Sequence, residues 1–203
     1  LRAAIDQVRA QHGGTCELEH PWTPTATVVA IRVRGGQLEH LVLADSTLVL
    51  TNAGGAMQVL TDRRLDTAVH GTRAALRQIP LSHPDYAAAF RDHLAAIQAL
   101  RNTPGGFWVA AADPAVADYA LTGSCRVSRV ESVLLVSDGA SRLTDLFGLA
   151  SWADLTDIVR RDGPAELISQ VRAAEAADPD GHRWHRSKAI DDATVVYCDD
   201  FDG

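Results

Sequence analysis

Three acidic positions stand where predicted strands give way to turns. Asp45 follows one apolar strand, Asp138 follows another, and the pair Asp191 and Asp192 precedes the last strand. A carboxylate at the end of a strand has a rigid backbone and points into the cleft that the connecting loops form. Several carboxylates brought together would repel one another, and a bound divalent cation relieves that repulsion. Because oxygen ligands predominate, the expected ion is Mg²⁺ or Mn²⁺ rather than Zn²⁺.

The chemistry that such a site would support is hydrolysis of a phosphate ester. Two divalent ions held close together can bind and activate a water molecule for attack on phosphorus. Taken singly, each acid is most simply a turn residue, because Asp and Gly are common in turns. The joint pattern of Asp45, Asp138 and Asp191 is what favours a metal site.

Other arrangements of reactive residues are weaker. His182 and His185 have a spacing seen in zinc sites, but no Cys or further His is placed to complete a ligand set. No glycine-rich loop follows a strand in the G-x-G-x-x-G pattern, and no serine lies in a G-x-S-x-G elbow. The basic segment here includes Arg186 and Lys188, which could grip a substrate phosphate next to Asp191 or could form a solvated loop.

The elements that must position these acids are strands first and then mostly helices. Apolar periodicity predicts a long helix over 85–101 and a buried central strand at 132–136, while residues 66–84 show no regular pattern. This order favours an α+β fold, with a sheet packed by helices, over a wound βαβ fold. The other predicted strands lie at 25–33, 38–44, 48–50, 57–60, 107–110 and 193–197, with glycine-pair turns at 35–36 and 54–55.

Composition limits the classes of protein that the chain can be. It has 203 residues, of which 46% are hydrophobic, and a formal net charge of −7. The acidic balance argues against nucleic-acid binding and against binding to an anionic membrane. Cys16, Cys125 and Cys198 are odd in number and far apart, which favours a reducing, cytoplasmic location over a disulfide scaffold. We expect a single domain over residues 1–203.

The acidic motifs resemble those of the metal-dependent protein phosphatases, the protein phosphatase 2C family. Residues 133–139, Val-Leu-Leu-Val-Ser-Asp-Gly, resemble the family's apolar strand followed by Ser-Asp-Gly. Residues 191–196 resemble its late Asp-Asn/Asp-x-Thr-Val-Val motif, and residues 43–46 resemble its Gly-Asp-Ser motif with Ala44 in place of Gly. The stretch 101–109 looks like that of bacterial members, and the resemblance extends over nearly the whole chain.

The resemblance implies a four-layer αββα sandwich, in which two packed, mostly antiparallel β-sheets are flanked by helices. It implies a metal site that includes Asp138, Gly139 and Asp191, with Asp45 near a further ion, and two Mn²⁺ or Mg²⁺ ions in the complete domain. The implied activity is hydrolysis of phosphoserine or phosphothreonine in phosphorylated proteins by metal-activated water, with no protein nucleophile. Such a protein would serve bacterial signalling in the cytoplasm.

The chain also departs from the family pattern. The family's early Asp-Gly, whose Asp bridges both metals, and its early phosphate-holding Arg have no counterpart, and we expect a segment that carries them to precede Leu1. Arg142 stands four residues after Asp138, where many members have an acid that serves a third metal. These departures leave two alternatives to a protein phosphatase: a catalytically impaired binding module in signalling, and a hydrolase of small phosphorylated metabolites.

Overall fold

Two antiparallel β-sheets form the centre of the fold. The computed structural model describes residues 1–12, 14, 16–20, 22–76 and 78–201. The strands of this part of the chain are β1 (Val28–Arg34), β2 (Gln37–Leu43), β3 (Thr47–Asn52), β4 (Met57–Thr61), β5 (Leu121–Arg126), β6 (Val130–Val136) and β7 (Val195–Cys198). They form one sheet in the order β1-β2-β5 and a second in the order β4-β3-β6-β7. Each paired strand runs antiparallel to its neighbour.

Helices cover the outer faces of the two sheets. The α-helices of the described residues are α1 (Arg2–Gln11), α2 (Arg64–Ala68), α3 (His70–Leu76), α4 (Tyr86–Leu100), α5 (Asp138–Asp145), α6 (Trp152–Asp162) and α7 (Pro164–Ala177), and short 3-10 helices span Pro114–Tyr119 and Val127–Arg129. Helix α1 packs outside the first sheet, where Ile5 clusters with Leu43 of β2. Helices α5, α6 and α7 pack outside the second sheet. The layers therefore run helix, sheet, sheet, helix, as the sequence analysis predicts.

Strand β6 lies in the interior of its sheet because both of its faces are apolar. Val133 and Leu135 face the first sheet and pack in one cluster with Leu38 of β2. Leu134 and Val136 point the other way and pack with the helices α5, α6 and α7. A strand covered on both faces has a continuous apolar sequence rather than an alternating one. The predicted buried central strand is therefore confirmed.

The turns of the early strands place an acid at one end of the sandwich. Gly35 and Gly36 both have positive φ, 56° and 73°, which a two-residue hairpin turn requires and which glycine adopts freely. Strands β2 and β3 belong to different sheets, so residues 44–46 carry the chain across the sandwich. Asp45 lies in that crossing segment.

Several elements differ from the sequence predictions. Residues 107–110, which are predicted as a strand, form only two isolated bridges, Ala26–Ala110 and Arg101–Phe107. Residues 66–84, which show no regular apolar pattern, contain part of α2 and all of α3. Strand β5 is not predicted because its side chains are mostly exposed and it pairs only along one edge, with β2. Helix α5 begins at Asp138, where the sequence analysis places a turn. The long helix over 85–101 is confirmed as α4.

The helices of the described chain are short. The longest of them, α4, has 15 residues, and none combines the length and the apolar character that crossing a lipid bilayer requires.

His93 of α4 is a buried histidine whose protonation should destabilise the fold. It is 4% exposed, and its Nδ1 lies 3.0 Å from Oγ1 of Thr72 in α3. Burial, and then the charge of Arg73, lowers the pKa of His93. The folded state therefore holds this proton less tightly than the unfolded state does. Stability should be retained at higher pH and should fall as the pH drops below about 6.5, the ordinary pKa of histidine.

Urea unfolding at about pH 7.5 and about pH 5.5 tests this expectation. The wild-type chain should lose more stability on acidification than His93→Gln, which has no proton to gain at this position. His83→Gln, at an exposed histidine, is the control and should behave as the wild type. Equal losses in the wild type and in His93→Gln would contradict the prediction.

Candidate metal centre

The Ser-Asp-Gly and Asp-Asp-x-Thr motifs lie side by side at one end of the second sheet. Strands β6 and β7 pair along their length, and Ser137 continues the connection beyond them. The Ser137 backbone N–H donates to the Thr194 carbonyl at 3.0 Å, and the Thr194 N–H donates to the Ser137 Oγ at 3.0 Å. These bonds hold the loops that carry Asp138 and Asp191 next to each other.

Gly139 permits a close approach between the two motifs. A Cβ at this position would lie 2.0 Å from the carbonyl oxygen of Asp192 and 3.3 Å from the Cβ of Asp191. The Ser137 hydroxyl donates to the same Asp192 carbonyl at 3.3 Å. Glycine is therefore required here by packing, and the part of Gly139 as a metal ligand stays a prediction.

Asp45 reaches the same end of the sandwich from the segment between β2 and β3. Thr47 of β3 pairs with Val136 of β6, which places this segment beside the start of α5. Ala44 has a φ of 65°, a left-handed conformation that is unfavourable by roughly 1–2 kcal/mol for residues other than glycine. The strained turn at Ala44 directs the chain so that Asp45 lines the cavity that also contains Asp138.

The cavity at this end of the sandwich has a volume of about 390 Å³, and Asp45, Asp138 and Asp191 all line it. The structure thus brings together the three acids that the sequence analysis singled out. Their surroundings are of mixed charge, because arginines and further acids share the cavity wall. The other charged or titratable side chains that line it are Arg63, Asp66, His70, Arg73, Arg142, Asp145, His185 and Arg186.

Burial and mutual repulsion raise the pKa of two of these acids. The pKa of Asp45 is raised to about 6, by burial first and by the charge of Asp138 second. The pKa of Asp138 is also raised, by burial and by the charge of Asp191. In the described part of the chain, neither Asp45 nor Asp138 forms a salt bridge with a cationic side chain. A divalent cation would neutralise such a pair of neighbouring carboxylates.

Asp191 differs from the other two acids because both of its carboxylate oxygens have cationic partners. Its Oδ2 accepts from Nη2 of Arg142 at 2.8 Å, and its Oδ1 accepts from Nζ of Lys188 at 2.7 Å. Within the described residues, no three His, Cys, Asp or Glu side chains are grouped closely enough to form a metal site by themselves. The site therefore consists of two carboxylates without a cationic partner, Asp45 and Asp138, and a third, Asp191, that is paired with an arginine and a lysine of the protein.

Arg142 belongs to a buried ion network that the sequence analysis does not predict. Its Nη1 donates to Oε1 of Glu175 at 2.5 Å, and the two side chains are 8% and 1% exposed. The other Glu175 oxygen accepts from Arg172 at 2.6 Å, and Arg172 also donates to the Asp191 carbonyl at 2.6 Å. Glu175 could have been found from its position four residues after Val171, on the buried face of α7.

The structure corrects the prediction that Arg186 grips a substrate phosphate. Its side chain is 2% exposed, and its Nη1 lies 3.0 Å from Oδ2 of Asp178. Its other bonds go to the backbone carbonyls of residues 175, 178, 184 and 189. A guanidinium group has five N–H donors, and all five are used within the protein. Arg186 therefore stabilises the segment between α7 and β7 and has no donor left for phosphate.

Solved structures share the architecture described above. The serine/threonine phosphatase PstP of Mycobacterium tuberculosis matches with a TM-score of 0.51 and 20% identity, over 98% of this chain and 68% of that one. A serine-threonine phosphatase 2C from Toxoplasma gondii matches with a TM-score of 0.52 and 16% identity, over 97% of this chain and 66% of that one. A serine/threonine phosphatase from Staphylococcus aureus matches with a TM-score of 0.50 and 14% identity, over 98% of this chain and 65% of that one.

The likeness to these phosphatases is one of fold, and it confirms the resemblance drawn from the motifs. The chain spans about two thirds of the length of each matched structure. No protein-family model and no curated protein matches the sequence.

Proposed function

We propose that this chain, which has the protein phosphatase 2C fold, is a divalent-cation-dependent hydrolase of phosphate esters on serine and threonine residues of proteins. The observation that supports the proposal is the convergence of Asp45 and Asp138 on one polar cavity, where each carboxylate lies beside another negative charge and has a raised pKa. One fold can host many activities, so the proposal depends on this site rather than on the fold.

The donor set suits Mg²⁺ or Mn²⁺. These ions take oxygen ligands, and Mg²⁺ is commonly held by one or two carboxylates together with several waters. Asp45 and Asp138 would supply the two carboxylates, and Asp191 would supply the oxygen that Lys188 now contacts. When bound, the cation supplies Lewis-acid chemistry, which activates water for attack on phosphorus.

Arg63 and Arg73 are the residues that we expect to orient the phosphate group. Both line the cavity, and both are paired with the single carboxylate of Asp66, so the three side chains together carry a net positive charge. The Arg63 side chain is 65% exposed and is free to turn toward a ligand. Guanidinium groups bind phosphate oxygens through paired N–H donors. These two arginines therefore replace Arg186 as candidate phosphate ligands.

A non-catalytic binding module is the second candidate function, and one observation favours it. Arg142 and Lys188 neutralise Asp191 within the protein, so only two of the three acids face the cavity without a cationic partner in the described chain. In such a module, the cavity would bind a phosphorylated partner and leave it intact. The binding of divalent cations separates the two candidates.

Replacing Asp138 with asparagine should weaken Mn²⁺ binding to the full chain by at least about tenfold, because the change removes a charged ligand and keeps its shape. Calorimetric titration with MnCl₂ measures the affinity, and assays with p-nitrophenyl phosphate and a phosphothreonine peptide measure hydrolysis. Asp157→Asn, at an exposed acid of α6, is the matched control and should bind Mn²⁺ as the wild type does.

The possible outcomes separate the candidate functions. Uptake of Mn²⁺ by the wild type, with loss of both binding and hydrolysis in Asp138→Asn, supports the protein phosphatase. A wild-type chain that takes up no Mn²⁺ contradicts it and supports the binding module. Faster turnover of small phosphorylated metabolites than of the phosphopeptide would support the metabolite hydrolase instead.

A further inference from the structure

Lys188 is the only lysine in the chain, and it lies at the candidate metal centre. The sequence has 19 Lys and Arg residues, and every one except Lys188 is an arginine. Its Nζ donates to Oδ1 of Asp191 at 2.7 Å. Lysine carries a compact charge on a flexible stem, whereas arginine is a planar fork suited to fixed, bidentate pairs. The ammonium group of Lys188 can therefore move away from this Asp191 oxygen more easily than a guanidinium group could.

The two cations that contact Asp191 differ in how firmly they are held. The Arg142 side chain is 8% exposed, and its other amino group is bound to Glu175 at 2.5 Å. The Lys188 side chain is 57% exposed, while the Asp191 carboxylate that it contacts is 12% exposed. Lys188 can therefore move into solvent without disturbing the buried network. Oδ1 is the oxygen of Asp191 that can be made accessible to another cation.

We infer that Lys188 is an internal counter-ion that holds the place of a divalent cation at Asp191 and is displaced when such a cation binds. An ammonium group and a divalent ion at the same oxygen compete for it, because two positive charges at that separation repel each other. Cation binding is then an exchange of Lys188 for the divalent ion. The lysine lowers the affinity of the site for that ion, and in the cation-free protein it reduces the repulsion between the carboxylates. This inference rests on the proposed function, since it takes Asp191 to be a cation ligand.

Replacing Lys188 with methionine should tighten Mn²⁺ binding to the full chain roughly two- to fivefold, the effect of removing one partly exposed competing ion pair. Methionine keeps an unbranched side chain and removes the charge. Arg183→Met is the matched control, because it removes a positive charge from the same loop at a residue that stacks on Trp184. Calorimetric titration with MnCl₂ measures both variants. Equal changes in the two variants would indicate a general charge effect and would overturn the inference.

A single lysine also permits a direct measurement of its displacement. An activated acetyl ester acylates the amine of Lys188, and peptide mass spectrometry distinguishes this product from the acylated amino terminus. We expect saturating Mn²⁺ to accelerate acylation of Lys188, because the amine no longer contacts Asp191. An unchanged rate of acylation at saturating Mn²⁺ would overturn the inference.

Failure of this inference is distinguishable from failure of the proposed function. If the wild type and Lys188→Met bind Mn²⁺ equally tightly, the inference is overturned and the proposed hydrolase stands. If neither protein binds Mn²⁺, both are overturned. Binding by Lys188→Met alone would show that the lysine excludes the cation and is not displaced by it, which overturns both the inference and the proposed hydrolase.

Discussion

Replacing Glu175 with alanine is expected to lower the free energy of unfolding by about 3–5 kcal/mol. The Glu175 side chain is 1% exposed and accepts from two arginines, Arg142 at 2.5 Å and Arg172 at 2.6 Å. Its removal leaves Arg142 buried, with Asp191 as its remaining ionic partner. A buried charge that loses its counter-ion cannot be compensated by water, so the loss exceeds that of a surface ion pair.

Urea denaturation followed by circular dichroism measures this loss. Glu166→Ala is the matched control, because Glu166 lies on the same helix, is partly exposed and accepts from Gln170. The free energy of unfolding of Glu166→Ala should fall by less than about 1 kcal/mol. The double variant Arg142→Met/Glu175→Ala should lose less than the sum of the single variants, since both remove the same ion pair. A loss for Glu175→Ala no larger than the control would contradict a buried network.

Replacing Gly139 with alanine is expected to destabilise the chain by about 3 kcal/mol and to weaken Mn²⁺ binding. The added Cβ would lie 2.0 Å from the Asp192 carbonyl oxygen and 2.9 Å from its carbon. These atoms belong to the backbone, so they cannot rotate away as the end of a long side chain could. Either the start of α5 or the loop before β7 must shift, and both shifts move Asp138 relative to Asp191.

Gly71→Ala in α3 is the matched control for this substitution. Its added Cβ would have no atom within 4 Å, and its backbone is helical. Because alanine favours a helix over glycine by up to about 1 kcal/mol, this variant should be neutral or more stable. Urea midpoints and calorimetric Mn²⁺ titrations of both variants test the expectation. Wild-type stability in Gly139→Ala would contradict the close approach of the two motifs.

The two late motifs could be located from the sequence because strong local signals surround them. The apolar run of β6 predicts a strand buried on both faces, and Asp138 comes two residues after that strand. The pairing of β6 with β7 then brings Asp191 to the same end of the sheet. Asp45 could be predicted for the same reason, since it comes two residues after the end of β2.

The partners of those acids could not be predicted in this way. Arg142 is separated from Glu175 by 33 positions and from Asp191 by 49, and they meet only because α5 packs against α7 and the loop before β7. In the sequence, Arg142 stands where many family members have an acid that serves a third metal, whereas in the structure this arginine neutralises Asp191. The charge of Arg186 indicated a phosphate contact, but the side chain is buried, and all of its N–H groups donate to acceptors within the protein.

The sequence by itself determined the layered α+β fold class, the central strand and the three acids at the strand ends. These features follow from apolar periodicity and turn chemistry, which act between residues near one another in the chain. Only the tertiary structure decided that, in the described chain, Asp45 and Asp138 lack a paired cation while Asp191 has Arg142 and Lys188. The pairing of charges depends on which side chains meet as the layers pack. That packing determines which carboxylates have a cationic side chain as partner and which remain available to a bound metal ion.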